Sequence, residues 1–224
     1  YGALFRLEDK ESASFFGIDT PSESIISYVT AIGFLIIAFI SPLLSGVADY
    51  LGNKKFFLKL FCFVGSISCM MLYFFDLNNL YISLFFYMMA LIGFWGSLVF
   101  YNSYLPDIAY PEQQDAVSAK GYSLGYIGSV ILLIINLAMV MKSELFGFDG
   151  PMQAMKFSFV LVGIWWLGFS QISYRLLPNF RNSKKISTQA FFSGFRELKR
   201  IFKELKQYPV LKGYLGAFFV YSMA

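Results

Sequence analysis

Residues 41–57 read SPLLSGVADYLGNKKFF, a polar interruption in a chain that is otherwise strongly apolar. An Asp, two Gly and two Lys stand between long hydrophobic runs, and the length of those runs decides the fold. Residues 24–48, 60–75, 77–106, 121–141 and 157–174 contain no Asp, Glu, Lys or Arg. A helix of roughly 17–25 apolar residues crosses the hydrocarbon core with every backbone polar group satisfied internally. With their flanks, the runs predict five spans at about 25–49, 56–75, 80–105, 118–141 and 156–177.

Composition agrees. Of the 224 residues, 57% are hydrophobic and 14% charged, against about a quarter charged in a soluble domain. A soluble helical protein would have to bury all five runs in one core, so the expected class is an all-α polytopic membrane protein. A sixth apolar run, residues 213–224, has about half the length of a span. Tyr1 is not an initiator methionine and no basic segment of a signal peptide precedes the first span, so a piece of a larger protein is expected. Cys62 and Cys69 lie seven apart on one helix face. With no His in the chain they read as small apolar residues, and neither a metal nor another cofactor is expected.

Basic residues orient the spans. The connections after the first, third and fifth spans hold 14 of the 18 Lys and Arg, including Lys54, Lys55 and Lys59, Lys120, and ten between Arg175 and Lys212. The opposite side holds Arg6, Lys10, Lys142 and Lys156. The side with 14 is therefore expected to be cytoplasmic. Residues 1–24 become an external loop that follows a first helix, residues 25–177 a transmembrane bundle, 178–208 a cytoplasmic linker and 209–224 the start of a further helix. Within the linker, Phe191, Phe195, Leu198, Phe202 and Leu205 fall within roughly 80° at helical spacing. Arg196, Lys199, Arg200, Lys203 and Lys206 lie beside and opposite that stripe, which suits a helix lying on anionic headgroups near 191–206. A plain linker and a calmodulin-type target helix are the two readings of that segment.

Asp49 stands at the C-terminal end of its span, where the helix dipole disfavours a carboxylate. It therefore calls for a partner: Lys54 or Lys55 across the turn, or the N-terminus of another helix. Gly46 allows close helix approach and Gly52 a tight turn. The stretch GVADYLGNKK resembles the signature between helices 2 and 3 of the major facilitator superfamily, with Gly46, Asp49, Gly52, Lys54 and Lys55 at matching positions. Tyr50 departs from it, since an arginine commonly follows the Asp in that family. The resemblance implies a 12-helix bundle of which the chain holds helices 2–6 and the start of helix 7. It also implies alternating access of two bundles about a central site, with Gly46, Asp49, Gly52, Lys54 and Lys55 as a cytoplasmic gating motif.

A second stretch, FYNSYLPDIAYPEQQDAVSAKGYSLGYIGS at residues 100–129, resembles the vacuole effluxer-like (Atg22-like) group and its bacterial relatives. Asn102, Tyr104, Leu105, Pro106, the run 118–121, Gly125, Tyr126 and Gly128 carry that resemblance. It implies a secondary transporter for a small-molecule solute, with amino-acid efflux as the first substrate class and sugars or drugs as the alternative. It further implies the bacterial inner membrane, or a vacuolar membrane in a eukaryote. Drug–proton antiporters of the superfamily carry a glycine–proline signature in the fourth visible span, and no Pro occurs between Gly121 and Met141.

The residues themselves add detail. Pro106 ends the third-span pattern, and Pro111 with Glu112 and Asp115 suits the start of a short helix. Ser118, Tyr122, Gly125, Ser129 and Asn136 share one face within roughly 60°. Gly121, Gly125 and Gly128 have the spacing of a helix-packing stripe. That face is either a packing surface or part of a solute pathway running past Tyr101, Asn102, Tyr122, Ser129 and Asn136. Tyr28 and Thr30 are further polar candidates near the outer end. No span interior carries Asp or Glu, so residues that couple transport to an ion such as a proton are expected elsewhere in the protein. A membrane enzyme would need a convergent acid–base, nucleophile or metal set, which the spans do not offer. A non-transport scaffold is the other alternative, and nothing points to nucleic acid.

Overall fold

The computed structural model describes residues 12–15, 18–51, 53–76, 79–178, 199–200, 203–204, 207–214 and 217. Two short strands come first, β1 (Ser12–Phe15) and β2 (Ile18–Pro21), paired antiparallel with Ser12 opposite Pro21 and Phe15 opposite Ile18. The sequence reading contains no such hairpin. Among the described residues the elements after it are helices: α1 (Ser22–Leu51), α2 (Lys54–Met71), α3 (Leu80–Ser103), the short α4 (Leu105–Ile108), α5 (Gln114–Met141) and α6 (Pro151–Leu176), with short 3-10 turns between some of them. Among the described residues, five segments are long and apolar enough to cross a membrane: Ser24–Leu44, Lys54–Phe74, Leu80–Ile108, Pro111–Met141 and Pro151–Leu176. The fold is thus an all-α polytopic membrane bundle, as the uncharged runs predict.

Prolines and one glycine set several boundaries, two of them differently from expectation. Pro106 does not terminate a helix. The long helix α3 ends at Ser103, and Pro106 sits in the first two positions of α4, where its missing N–H costs nothing. Pro111 opens a short 3-10 helix, Pro111–Gln113, as expected, and this runs directly into the 28-residue α5. Helix α6 starts at Pro151 in its first turn, ahead of the expected 156, and so takes Lys156 into the helix. Before it, Gly147 adopts φ 76°, a left-handed conformation open to Gly without a Cβ penalty.

The chain forms two compact units, residues 1–38 with 54–179, and residues 39–53 with 180–224. In the second unit, the described backbone of residues 39–51 continues α1 as helix, and residues 209–214 are helical. Pro42 lies inside α1 and cannot donate to the carbonyl four residues before it. Only Arg200, Glu204 and their helical neighbours are described from the basic linker segment, with Arg200 Nε donating to Glu204 Oε1 at 2.8 Å. The predicted amphipathic stripe at 191–206 otherwise lies outside the described residues.

In the first unit, α2 packs most extensively on α3 and next on α6. Between apolar helices in lipid there is little hydrophobic drive, so close contact depends on small residues. A Cβ on Gly93 would overlap the backbone of Gly65, and one on Gly96 would overlap the Phe61 ring. A Cβ on Gly163 of α6 would sit 2.8 Å from the Ser66 carbonyl oxygen of α2. Phe100 of α3 is buried and stacks on Phe57 and Phe61 of α2, at 5.3 and 5.8 Å between centroids. Ile25 and Val29 of α1 close one end of the bundle together with Phe75, Leu80 and Leu84, against Met152, Met155 and Phe159.

Candidate functional site

At the other end of this unit lie Lys54 and Lys55, the lysines of the opening stretch. They occupy the N-terminal turn of α2, where the helix dipole opposes a cation. Their partners resolve that conflict. Lys54 Nζ donates to the Ser103 carbonyl at 3.2 Å and to Asp107 Oδ2 at 3.0 Å. Lys55 Nζ donates to the Leu177 carbonyl at 2.8 Å. Ser103 is the last residue of α3 and Leu177 follows the last residue of α6, so both lysines satisfy carbonyls at the negative ends of neighbouring helices. The Lys54–Asp107 pair is partly screened from solvent, with side chains 20% and 27% exposed. Three helix ends are tied together in this way.

Of the predicted gating motif, Gly46 and Asp49 have helical backbone in α1. The Asp49 side chain and all of Gly52 lie outside the described residues. Asp107 is the contact that sequence reasoning missed, because its partnership with Lys54 spans 53 positions.

One helical turn inward from these contacts is a cavity of about 510 Å³ among α2, α3, α5 and α6. Its lining comes from the part of each helix nearer the Lys54 and Lys55 contacts. Leu58 and Cys62 come from α2, Phe94, Ser97, Leu98 and Tyr101 from α3. Gly121, Tyr122, Gly125, Tyr126 and Ser129 come from α5, and Trp166, Ser170, Ser173 and Tyr174 from α6. No lining residue is an acid or a base. The hydroxyls of Ser97, Ser129 and Ser170 donate into their own helices, to Phe94, Gly125 and Trp166 carbonyls at 2.8, 2.8 and 2.7 Å. The Tyr174 hydroxyl is buried, with the Cys62 and Ser170 side chains beside it.

The structure therefore brings Tyr101, Tyr122 and Ser129 of the expected pathway to one cavity, and leaves Asn102 and Asn136 out of its lining. Asn102 is exposed, while the Asn136 Oδ1 is buried with no partner. Thr30 is a tether between helices: its Oγ1 donates to the Ile26 carbonyl at 2.7 Å and lies 2.9 Å from the Tyr87 hydroxyl. Tyr28 is exposed.

The glycine stripe of α5 has few close neighbours among the described residues. A Cβ on Gly125 would meet nothing within 4 Å, and one on Gly128 only the Trp165 Nε1 at 4.0 Å. At Gly121 it would approach the Tyr101 hydroxyl at 2.7 Å, the far end of a side chain. Among the described residues no backbone closes on this stripe, and the tight approaches are at Gly65, Gly93 and Gly163. The α6 contribution was open to sequence reasoning. Trp166, Ser170, Ser173 and Tyr174 recur at helical spacing on one face, a pattern as regular as the one in α5. Among the described residues no group of three or more His, Cys, Asp or Glu comes together, and Cys62 and Cys69 are free thiols.

Comparison with known proteins adds the family. The family described as "Vacuole effluxer Atg22 like" matches residues 6–224. The chain is 33% identical over 221 residues to the "Uncharacterized MFS-type transporter YxiO" of Bacillus subtilis (strain 168), covering 98% of this chain and 51% of that protein. It is 22% identical over 266 residues to "Autophagy-related protein 22-2" of Aspergillus niger, covering 91% of this chain and 44% of that one. The chain thus spans about half the length of these curated relatives. No solved structure matches.

Proposed function

The chain belongs to the vacuole effluxer Atg22-like family, and from that premise we propose that it is part of a secondary transporter that moves a small solute by alternating access. One observation supports this most: the lysine contacts that tie three helix ends lie one turn from a cavity large enough for a small molecule. At the opposite end α1, α3 and α6 meet with Phe75 in an apolar cluster. In this reading the lysine-rich end is cytoplasmic, the cavity is part of the solute path, and Asp49 completes the gating motif. Breaking that motif shifts the balance between carrier states and leaves solute contacts in place. The work done is transport, with no bond made or broken in the solute.

Amino acids are the first solutes to test, and a proton is the first coupling ion. Sugars and neutral drug-like molecules are the second class. The uncharged lining favours them, because a charge without a counter-charge is costly to take out of water.

The protein reconstituted into liposomes, loaded with unlabelled solute and diluted into labelled amino acids or sugars, should show saturable counterflow of one class. Repeating the assay with a pH gradient shows whether protons drive it. Absence of counterflow for every solute in correctly folded, inserted protein would remove the carrier reading.

A further inference from the structure

Two aromatic side chains of the cavity wall are seated on glycines of a neighbouring helix. The Trp166 ring of α6 lies over Gly65 of α2, and the Tyr101 hydroxyl of α3 lies against Gly121 of α5. At Gly65 the α3 backbone presses in as well, so that glycine also serves the packing of the bundle. At Gly121 a Cβ would stand 2.7 Å from the Tyr101 hydroxyl oxygen. The room that this glycine leaves is taken by the tip of a side chain from the cavity wall.

The root of Tyr101 is held on both sides along the chain. Before it, Phe100 is buried and stacks on Phe57 and Phe61 of α2. After it, the Ser103 carbonyl accepts from Lys54 Nζ at 3.2 Å. The Tyr101 carbonyl itself accepts from the N–H of the buried Tyr104 at 3.2 Å. With the root fixed, the place of the hydroxyl depends on the side-chain torsions and on what the tip meets, which is Gly121. Van der Waals contact begins at about 3.5 Å, so a methyl group at position 121 would push the hydroxyl away by the better part of an ångström. Moving the far end of a side chain costs little stability. It is nevertheless large against the tolerance of roughly 0.5 Å within which a binding group works.

We propose that Gly121 is a positioning residue of the solute path: lacking a Cβ, it seats the Tyr101 hydroxyl against α5 and so fixes where that hydroxyl meets a solute in the cavity. The meeting with solute rests on the carrier reading, and the seat rests on the contact alone. Lys54 belongs to the same arrangement, because it holds the end of the helix from which Tyr101 extends.

Fluorine NMR reads the seat directly. In full-length protein carrying 3-fluorotyrosine in place of tyrosine, the Tyr101 resonance is the one lost in Tyr101→Phe. Gly121→Ala should shift that resonance by more than its linewidth. Gly125→Ala, where a Cβ meets nothing within 4 Å, should leave it in place. An unmoved Tyr101 resonance in Gly121→Ala overturns the proposal.

Counterflow of labelled leucine in liposomes reads the consequence. Gly121→Ala should raise the half-saturating concentration about three- to tenfold, the effect of one misplaced hydrogen bond, with no fall in melting temperature. Tyr101→Phe should raise it to a similar degree. The double variant should go no further, because without the hydroxyl the added methyl group has nothing to displace. Effects that multiply in the double variant overturn the proposal, and so does a half-saturating concentration unchanged by Gly121→Ala. No leucine flux in the wild type counts against the carrier reading, and the NMR shift then decides the seat by itself.

Discussion

The seam between α2 and α3 and the inner face of α5 both carry glycines at helix-packing spacing, yet only one of them is closed. At Gly65 and Gly93 the two backbones touch and no side chain fits between them. Along α5, Gly121, Gly125 and Gly128 face open space or side-chain tips, and Gly125 has no neighbour for a Cβ within 4 Å. Glycine spacing therefore permits close approach without causing it. The seam closes because α2 presents an aromatic ladder and α3 presents its complement, with Phe100 stacked between Phe57 and Phe61. Helix α5 offers tyrosines and serines, and a cavity results.

The sharpest way to break this contrast is to add volume on each side. Gly93→Val in the seam should cost about 1–3 kcal/mol or more through overpacking, read as a large fall in the melting temperature or yield of detergent-solubilised protein. Next in size is the lysine end. Lys54→Ala leaves Asp107 without its cation and should cost about 1.5–3 kcal/mol, the range for a charge-assisted bond. Lys54→Asp combined with Asp107→Lys should recover part of that loss in the same melting experiment. A smaller effect is expected from Thr30→Val, which removes an interhelical hydrogen bond worth about 0.6 kcal/mol in a membrane bundle. No loss at all is expected from Gly125→Ala on the open side. It should leave stability unchanged or raise it by up to about 1 kcal/mol, since Ala is the better helix former and nothing obstructs its methyl group. A melting loss at Gly125→Ala as large as that at Gly93→Val would erase the distinction between the two faces.

Much of this fold is readable from the chain because lipid imposes a simple rule. A run without charges, such as residues 121–141, has to be a span, and α5 covers it. Boundaries were less legible where proline acts as an unexpected starter, as at Pro106 and Pro151. For the site, periodicity in α5 led correctly to Tyr122 and Ser129 as neighbours in space. It could not show that Tyr174 and Trp166 face them from a helix some forty residues on. The partners of Lys54 and Lys55 were hidden for the same reason. One is a carboxylate and two are backbone carbonyls at helix ends, which become acceptors only once those helices stop beside α2.

The most direct test of a solute path along the open face uses single cysteines at two serines. Ser129→Cys lies on the cavity and Ser66→Cys in closely packed α2 beside Gly163 of α6, where Ser66 is 0% exposed. In liposomes, with Cys62 and Cys69 replaced by serine, each variant is treated with a small thiol reagent and its counterflow compared with its own untreated rate. The account predicts that Ser129→Cys is alkylated and its flux then collapses, while Ser66→Cys resists alkylation and keeps its flux. Stoichiometric alkylation of Ser129→Cys with undiminished flux would contradict it.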